Sequence, residues 1–282
     1  MDLNKTLPIL ELYSACQAEG SRAGYPTIVV RTTGCTHRCF FGDGGWCDSW
    51  YTSIHPERGK YTFQHIIDIY EQNPHIKEMM LTGGSPTMHM ELVNDLNNFC
   101  YDNNIFLTIE TEGSFAINVD KPINLISFSP KFSNSIPVIG TKTPIGQLVD
   151  EKFIKQHNKF RKNISAIASS ILKNNDFHLK PVIDKNLEIF PEVEQFLEDL
   201  AQELANQEKI MLGDVPNIEW HLENMVKDWL DTLKSKTWLM PAGDNRESLM
   251  ESYGPVINLA KDKGYKFTGR PHIIAFDKER LV

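Results

Sequence analysis

The sequence predicts an α/β fold of parallel βαβ units, on three observations. Short β-branched or aliphatic runs alternate with stretches of helical periodicity, the pattern of strands joined by crossover helices. Polar or glycine-bearing turns, TGC, TGGSP, TEG, SPK and PAGD, follow five of those runs, and α/β sheets gather their functional groups in the loops after the carboxyl ends of strands. No repeat, low-complexity tract or Pro/Gly-rich linker divides the 282 residues, so one domain over 1–282 is expected.

In order, TIVVR (27–31) reads as a strand, and the loop after it carries three cysteines. FQHIIDIYEQ has helical spacing through Phe63, Ile66, Ile67 and Tyr70, and IKEMMLTGG is a strand entering a glycine turn. A helix with Leu92, Val93, Leu96, Phe99 and Cys100 on one stripe follows, then the strands IFLTIET and INLISFS. A polar helix is expected over 150–173, then the strand FHLKPVI, then an acidic helix from Pro191, which suits a first turn, to Gln207. Next come a helix containing Trp220, Met225 and Trp229 and the strand TWLMPAG. The helix RESLMESYGPVINLAKDKG, bent or broken by Pro255, and strands around YKFTGR and HIIAFD complete the chain. Residues 185–236 read as a helical insertion, in its plainest form a solvated cap.

A composition of 41% hydrophobic and 23% charged residues is that of a globular chain able to bury a core. The net charge of −8, with no concentrated basic arm, gives no support to a nucleic-acid partner and favours a small-molecule substrate. No window approaches the ~18 apolar residues of a membrane span and no signal-like segment opens the chain, so a soluble cytoplasmic protein is expected. Five cysteines, three of them within thirteen residues, are poor material for a disulfide framework. In a reducing compartment they serve instead as soft metal ligands.

The cysteine loop runs Gly34-Cys35-Thr36-His37-Arg38-Cys39, then Phe40 to Trp46, then Cys47-Asp48-Ser49. Three thiolates without a fourth nearby suit an iron-sulfur cluster with one metal position left open for a small molecule. S-adenosylmethionine (SAM), chelating that position through its amino and carboxylate groups, can be cleaved reductively to a hydrogen-abstracting radical. A zinc site of the three cysteines plus His37 stays open at this point. Cys100 lies on an apolar stripe and reads as core, while Cys16 reads as packed near the site.

Taken together, ELYSACQAEG (11–20), Arg31, the cysteine loop ending WCDS (46–49), TGGSP (82–86), ETEG (110–113) and SPK (129–131) resemble the 7-carboxy-7-deazaguanine synthase family of radical SAM enzymes. The likeness spans 11–131 and returns in LKPV, WLMPAG and RPHIIAF. It implies a modified, incomplete TIM-type barrel, usually a homodimer, that converts 6-carboxy-5,6,7,8-tetrahydropterin to 7-carboxy-7-deazaguanine with release of ammonia. It further implies a [4Fe-4S] cluster on Cys35, Cys39 and Cys47, SAM contacts from Gly84, Ser129, Pro130 and Lys131, and Mg²⁺ at Ser49. Cys16, Gln17, Ala18, Glu19, Arg31 and Thr82 are implied as pterin contacts, and a reductant protein such as flavodoxin as partner. The residue types agree. A guanidinium can hold the substrate carboxylate by two parallel hydrogen bonds, and Gln17 and Glu19 suit an aminopyrimidinone edge. The pair Gly83-Gly84 allows close backbone approach to SAM. Glu110 and Glu112 read equally as pocket groups or as solvated loop carboxylates.

Three departures stand out. Seven residues, where the family has two, separate Cys39 from Cys47, so the extra segment must loop outward. Ser49 stands in place of a Mg²⁺-binding threonine, keeping the hydroxyl but losing the methyl. Ser85 replaces an acidic residue, so weaker hydrogen bonding to SAM is expected there. Arg270 and His272 are pocket candidates without an assigned contact. Two other readings are carried forward: a glycyl-radical activating enzyme, which needs a protein-sized groove and no pterin contacts, and a zinc-binding module.

Overall fold

The computed structural model describes residues 2–213 and 218–282. Strand β1 (Ile9–Cys16) runs antiparallel to β2 (Pro26–Thr32). Beyond it β3 (Glu78–Gly83), β4 (Phe106–Thr111), β5 (Leu125–Phe128) and β6 (Phe177–Leu179) add in parallel, in sequence order. A second parallel set holds β7 (Val182–Ile183), β8 (Trp238–Pro241) and β9 (Lys266–Phe267). The two sets are one continuous surface, because Leu179 bridges Thr237 and the Met240 N–H donates to the Pro181 carbonyl. The expected strand FHLKPVI is therefore split at Lys180-Pro181, where proline has no N–H for the ladder. Among the described residues β1 and β9 remain unpaired edges, and a bond from the Gly20 N–H to Thr268 Oγ1 (2.7 Å) spans the gap. The result is an incomplete barrel.

Helices α1 (Phe63–Gln72), α2 (Met90–Asp102), α3 (Glu151–Asn158) and α4 (Ile164–Lys173) precede β6, while α5 (Phe190–Leu212) and α6 (Ile218–Ser235) connect β7 to β8. α7 (Arg246–Lys263) and α8 (Pro271–Phe276) flank β9. The apolar stripes foreseen on α1 and α2 pack Ile66, Leu92, Val93 and Leu96 against Ile28, Met79, Leu81, Leu107 and Ile109 of the sheet in one core. Side chains directed the other way, into the barrel, are largely polar, because successive strand residues alternate faces.

Several further elements differ from expectation. β1 was not anticipated: ILELYSAC interleaves polar residues that face the barrel interior, and as an edge strand it lacks a β-branched run. The helix expected over 150–173 is two, separated where Lys162 takes a positive φ and Asn163 caps α4 through Ala166 N. HIIAFD is helical, with Pro271 in the first turn, where its missing N–H goes unfelt. α7 continues through Pro255. Within 185–236, α5 is more than a solvated cap, since Val193, Phe196, Leu197, Leu200 and Leu204 lie in the main core and α6 packs along it.

Candidate active site

The barrel interior encloses a cavity of about 530 Å³. Alternate residues of successive strands line it: Glu11, Tyr13 and Ala15 of β1, Val29 and Arg31 of β2, Met80 and Thr82 of β3, and Glu110 of β4. Its floor comes from the β1–β2 connection, which lies at the amino-terminal end of the parallel strands because β1 runs antiparallel to β2. Arg22 pairs with Glu78 at the start of β3 and stacks on Phe106 at the start of β4, holding residues 17–25 across the amino-terminal end of the barrel. His178 secures the same segment through Ser21 Oγ (3.0 Å) and Ser127 Oγ (2.7 Å), and burial keeps its imidazole neutral, with a pKa lowered to about 3.

Of the fourteen residues that the sequence nominates, all but Gln17 and Pro130 line this one cavity. Gln17 is buried in the floor, where its amide donates to Thr108 Oγ1 at 3.2 Å. Pro130 is buried beside Ser129.

The three sulfurs reach the cavity from one loop whose extra residues form a closed hairpin. Phe40 bridges Trp46, the Phe41 N–H donates to the Gly45 carbonyl (2.8 Å), and the Cys47 N–H donates to the Cys39 carbonyl (3.1 Å). The insertion thereby returns Cys47 beside Cys39. A Cβ on Gly84 would lie 2.1 Å from the Gly34 carbonyl oxygen and 2.9 Å from Cys35 Cβ, so this glycine is required by the approach of the cysteine loop itself. Beneath the loop sits the Glu112 carboxylate, which accepts from Thr36 Oγ1 (3.0 Å) and Ser85 Oγ (2.5 Å). Ser85 is fully buried there, and an acidic residue in its place would face Glu112 as a second carboxylate.

The donor set fits an iron-sulfur cluster. Burial pushes the Cys35 thiol up to about 12 and Cys47 up to about 11, and raises Cys39 as well; Glu112 acts further on Cys35, and Asp48 on Cys47. Cys47 also raises Cys35 and Cys39, and Cys35 raises Cys39, as expected of groups facing one space, while the Lys131 cation opposes the rise at all three. Bare, such thiols stay protonated, and metal binding draws the protons off. No three His, Cys, Asp or Glu among the described residues close on a single metal ion. His37, the fourth ligand a zinc site needs, bonds through Nδ1 to Thr36 Oγ1 (2.7 Å) and stands edge-on to His157.

Around the sulfurs lies a charge network of which only part was foreseen. Arg31 donates through Nε to Glu11 (2.6 Å), through Nη1 to Ser49 Oγ (3.2 Å) and through Nη2 to Tyr13 (3.2 Å), leaving two of its five N–H groups for a ligand. Lys180, 2% exposed, lies 2.7 Å from Glu19 and 2.5 Å from Glu110. Arg270 joins Glu19 (3.1 Å) to Asp48. Burial would raise the Glu19 carboxyl, but Lys180 and Arg270 outweigh it and hold the pKa at about 2. Burial likewise works against the ionised Asp48, yet Arg270 keeps its pKa well below the ordinary value. Glu110, which also accepts from Thr82 Oγ1 (3.0 Å), is therefore a pocket group. Lys180 went unnoticed within LKPV because a lysine before a proline carries no signal of its own. Arg270 and His272, pocket candidates from the sequence, do line the cavity, whereas residues 277–282, which line it from the far end of the chain, gave no signal.

No family model matches the chain. The 7-carboxy-7-deazaguanine synthase of Halobacterium salinarum is 31% identical to it over 267 residues, covering 95% of this chain and 89% of that protein. The enzyme of the same description from Rhodopirellula baltica is 27% identical over 195 residues, 69% of each chain. Among solved structures, QueE from Escherichia coli aligns over 93% of this chain and 92% of its own, with a TM-score of 0.47 and 15% identity. An incomplete βα barrel in which three cysteines of one loop meet at the cavity, the fourth cysteine lining it being Cys16 at the end of β1, is the architecture of a radical SAM enzyme. At the identity and coverage of the halobacterial relative, the chain belongs to the 7-carboxy-7-deazaguanine synthase family.

Proposed function

We propose that this chain is a lyase that converts 6-carboxy-5,6,7,8-tetrahydropterin to 7-carboxy-7-deazaguanine with release of ammonia, in 7-deazapurine biosynthesis of the queuosine type. The observation that carries the reading is the convergence, in one cavity, of three sulfurs with Arg31, Glu19 and Thr82. Cys35, Cys39 and Cys47 would hold a [4Fe-4S] cluster, which with SAM supplies hydrogen-atom abstraction when bound and reduced. The two free N–H groups of Arg31 hold the substrate carboxylate, and Glu19, kept ionised by Lys180 and Arg270, accepts from the aminopyrimidinone edge. Cys16, Ala18 and Thr82 complete the pterin contacts, and Gln17 braces the floor through its amide hydrogen bond to Thr108. Gly84, Ser129 and Lys131 face SAM, with Pro130 setting the turn. Ser49 Oγ and Asp48 Oδ1, 3.4 Å apart, offer the hard oxygen pair that a Mg²⁺ ion takes.

We further propose a single domain over 1–282 with 185–236 as a helical insertion, a homodimer, a cytoplasmic setting and a reductant protein such as flavodoxin. Among the described residues no helix is long and apolar enough to cross a membrane. The test is anaerobic incubation of reconstituted protein with the carboxytetrahydropterin, SAM, Mg²⁺ and dithionite, followed by mass analysis. The expected product is 7-carboxy-7-deazaguanine; SAM cleavage without it would refute the substrate and leave the radical chemistry standing.

A further inference from the structure

Outside the cavity, the cysteine loop is contacted by the hairpin around Lys142 and by α3. The Trp46 indole N–H, one residue before Cys47, donates to the Lys142 carbonyl (3.1 Å), and its ring stands edge-on to Phe153 of α3. His157 of α3 accepts from the Arg38 N–H (3.1 Å), one residue before Cys39. The hairpin closed by the Lys142–Leu148 bridge and α3 therefore lie directly against the cysteine loop.

That surface is unlike the rest of the chain. Residues 138–162 carry six Lys or Arg (142, 152, 155, 159, 161, 162) against two acids (Asp150, Glu151), in a protein with 29 basic and 37 acidic residues. Arg161 and Lys162 pair with Glu192. Lys142, Lys152, Lys155 and Lys159 are exposed and have no carboxylate partner among the described residues. Interleaved with them, Val138 (60%), Ile139 (60%) and Leu148 (58%) stand exposed on the hairpin. Apolar groups set among predominantly basic charge mark a protein interaction site, and the excess sign selects an acidic partner.

From this geometry we infer that the hairpin and α3 form the docking surface for an acidic one-electron carrier protein, which delivers its electron through the Trp46 side of the cysteine loop. The inference rests on the proposed function only in that the cluster must gain one electron before SAM is cleaved; a flavin hydroquinone supplies that electron and becomes the semiquinone. An acidic donor is steered to an unpaired basic face even though the protein as a whole is acidic, because the field close to a surface follows the local charges within about a Debye length, ~10 Å at 0.1 M salt.

The test uses the triple charge reversal Lys152→Glu/Lys155→Glu/Lys159→Glu and, separately, Lys142→Glu on the hairpin. Affinity for a purified acidic flavodoxin is titrated calorimetrically between 50 and 300 mM NaCl, and turnover is compared with flavodoxin and with dithionite as reductant. Weakening of binding by tenfold or more in the triple variant, a shallower salt dependence and loss of flavodoxin-driven turnover with dithionite-driven turnover intact would bear the inference out. Unchanged affinity and salt dependence would overturn it, as would equal loss with both reductants. Dissociation of a dimer by the same substitutions, with donor affinity preserved, would overturn it in favour of an interface between copies of the chain. If wild-type protein makes no deazaguanine even with dithionite, the proposed function fails, while the binding titration still decides the docking site.

Discussion

Replacing Lys180 by methionine tests the charge network of the cavity most directly. The side chain is 2% exposed and neutralises Glu19 and Glu110 together, so its removal leaves two carboxylates facing each other across a buried space. Breaking a buried pair by deleting one partner costs ~3–5 kcal/mol. Here Arg270 still serves Glu19, and Thr82 still donates to Glu110, which places the cost near ~3 kcal/mol. With an unfolding entropy of ~0.6 kcal/mol/K for a chain of this length, that is a fall in Tm of ~5 °C at neutral pH, read by calorimetry on the apo chain. The pH dependence gives a second reading. The folded Glu19 carboxyl sits at about 2 against an ordinary 4.5, so the stability it contributes is present above the ordinary value and is lost as pH falls towards 2. Without Lys180 that carboxyl moves back up, and the gap between wild type and variant should narrow steadily from pH 5 to pH 3. The folded Lys180 pKa is raised, so its own contribution is fully present below the ordinary lysine range and no change is expected between pH 6 and pH 8. A Tm within 1 °C of wild type, or a gap that widens in acid, would refute the network.

The other predictions concern the loop and the ligand groups. Gly84→Ala should drive a methyl into the Gly34 carbonyl, cost ~1–3 kcal/mol and reduce iron and sulfide incorporated per chain; full loading with unchanged Tm would contradict the close approach. Cys47→Ala should abolish SAM cleavage, and retained cleavage would show that the hairpin does not deliver a third ligand. Arg31→Lys replaces a fork by one ammonium that cannot serve Glu11, Tyr13, Ser49 and a carboxylate together, so KM for the pterin should rise ~10–100-fold; an unchanged KM would remove Arg31 from the substrate site.

The strands and helices of the first half were legible because each residue's role is local: β-branched runs, a 3.6-residue stripe and glycine turns report neighbours within a few positions. β1 escaped because its polar residues belong to the barrel interior, an environment that exists only once the sheet curves. HIIAFD is locally ambiguous for a related reason, since a short apolar run suits strand or helix equally and the sheet offers it no further pairing.

The cysteine trio was the strongest signal in the chain, and most of the other nominated residues reach the same cavity as the three sulfurs. Chemistry nominated the trio and the resemblance nominated the rest, because a motif's residue types and order survive without knowledge of the fold. What the chain could not disclose is who neutralises whom. Lys180, Glu19, Asp48 and Arg270 meet from positions up to 251 residues apart, and Ser85 finds its carboxylate in Glu112, 27 residues on. A single lysine or glutamate carries no mark of its partner, since Coulombic attraction depends on separation in space. The three-dimensional arrangement alone decided that the floor of the site comes from the β1–β2 connection and that the insertion returns Cys47 beside Cys39. Both outcomes depend on how a curved sheet brings distant side chains to one interior, which no local pattern of residues encodes.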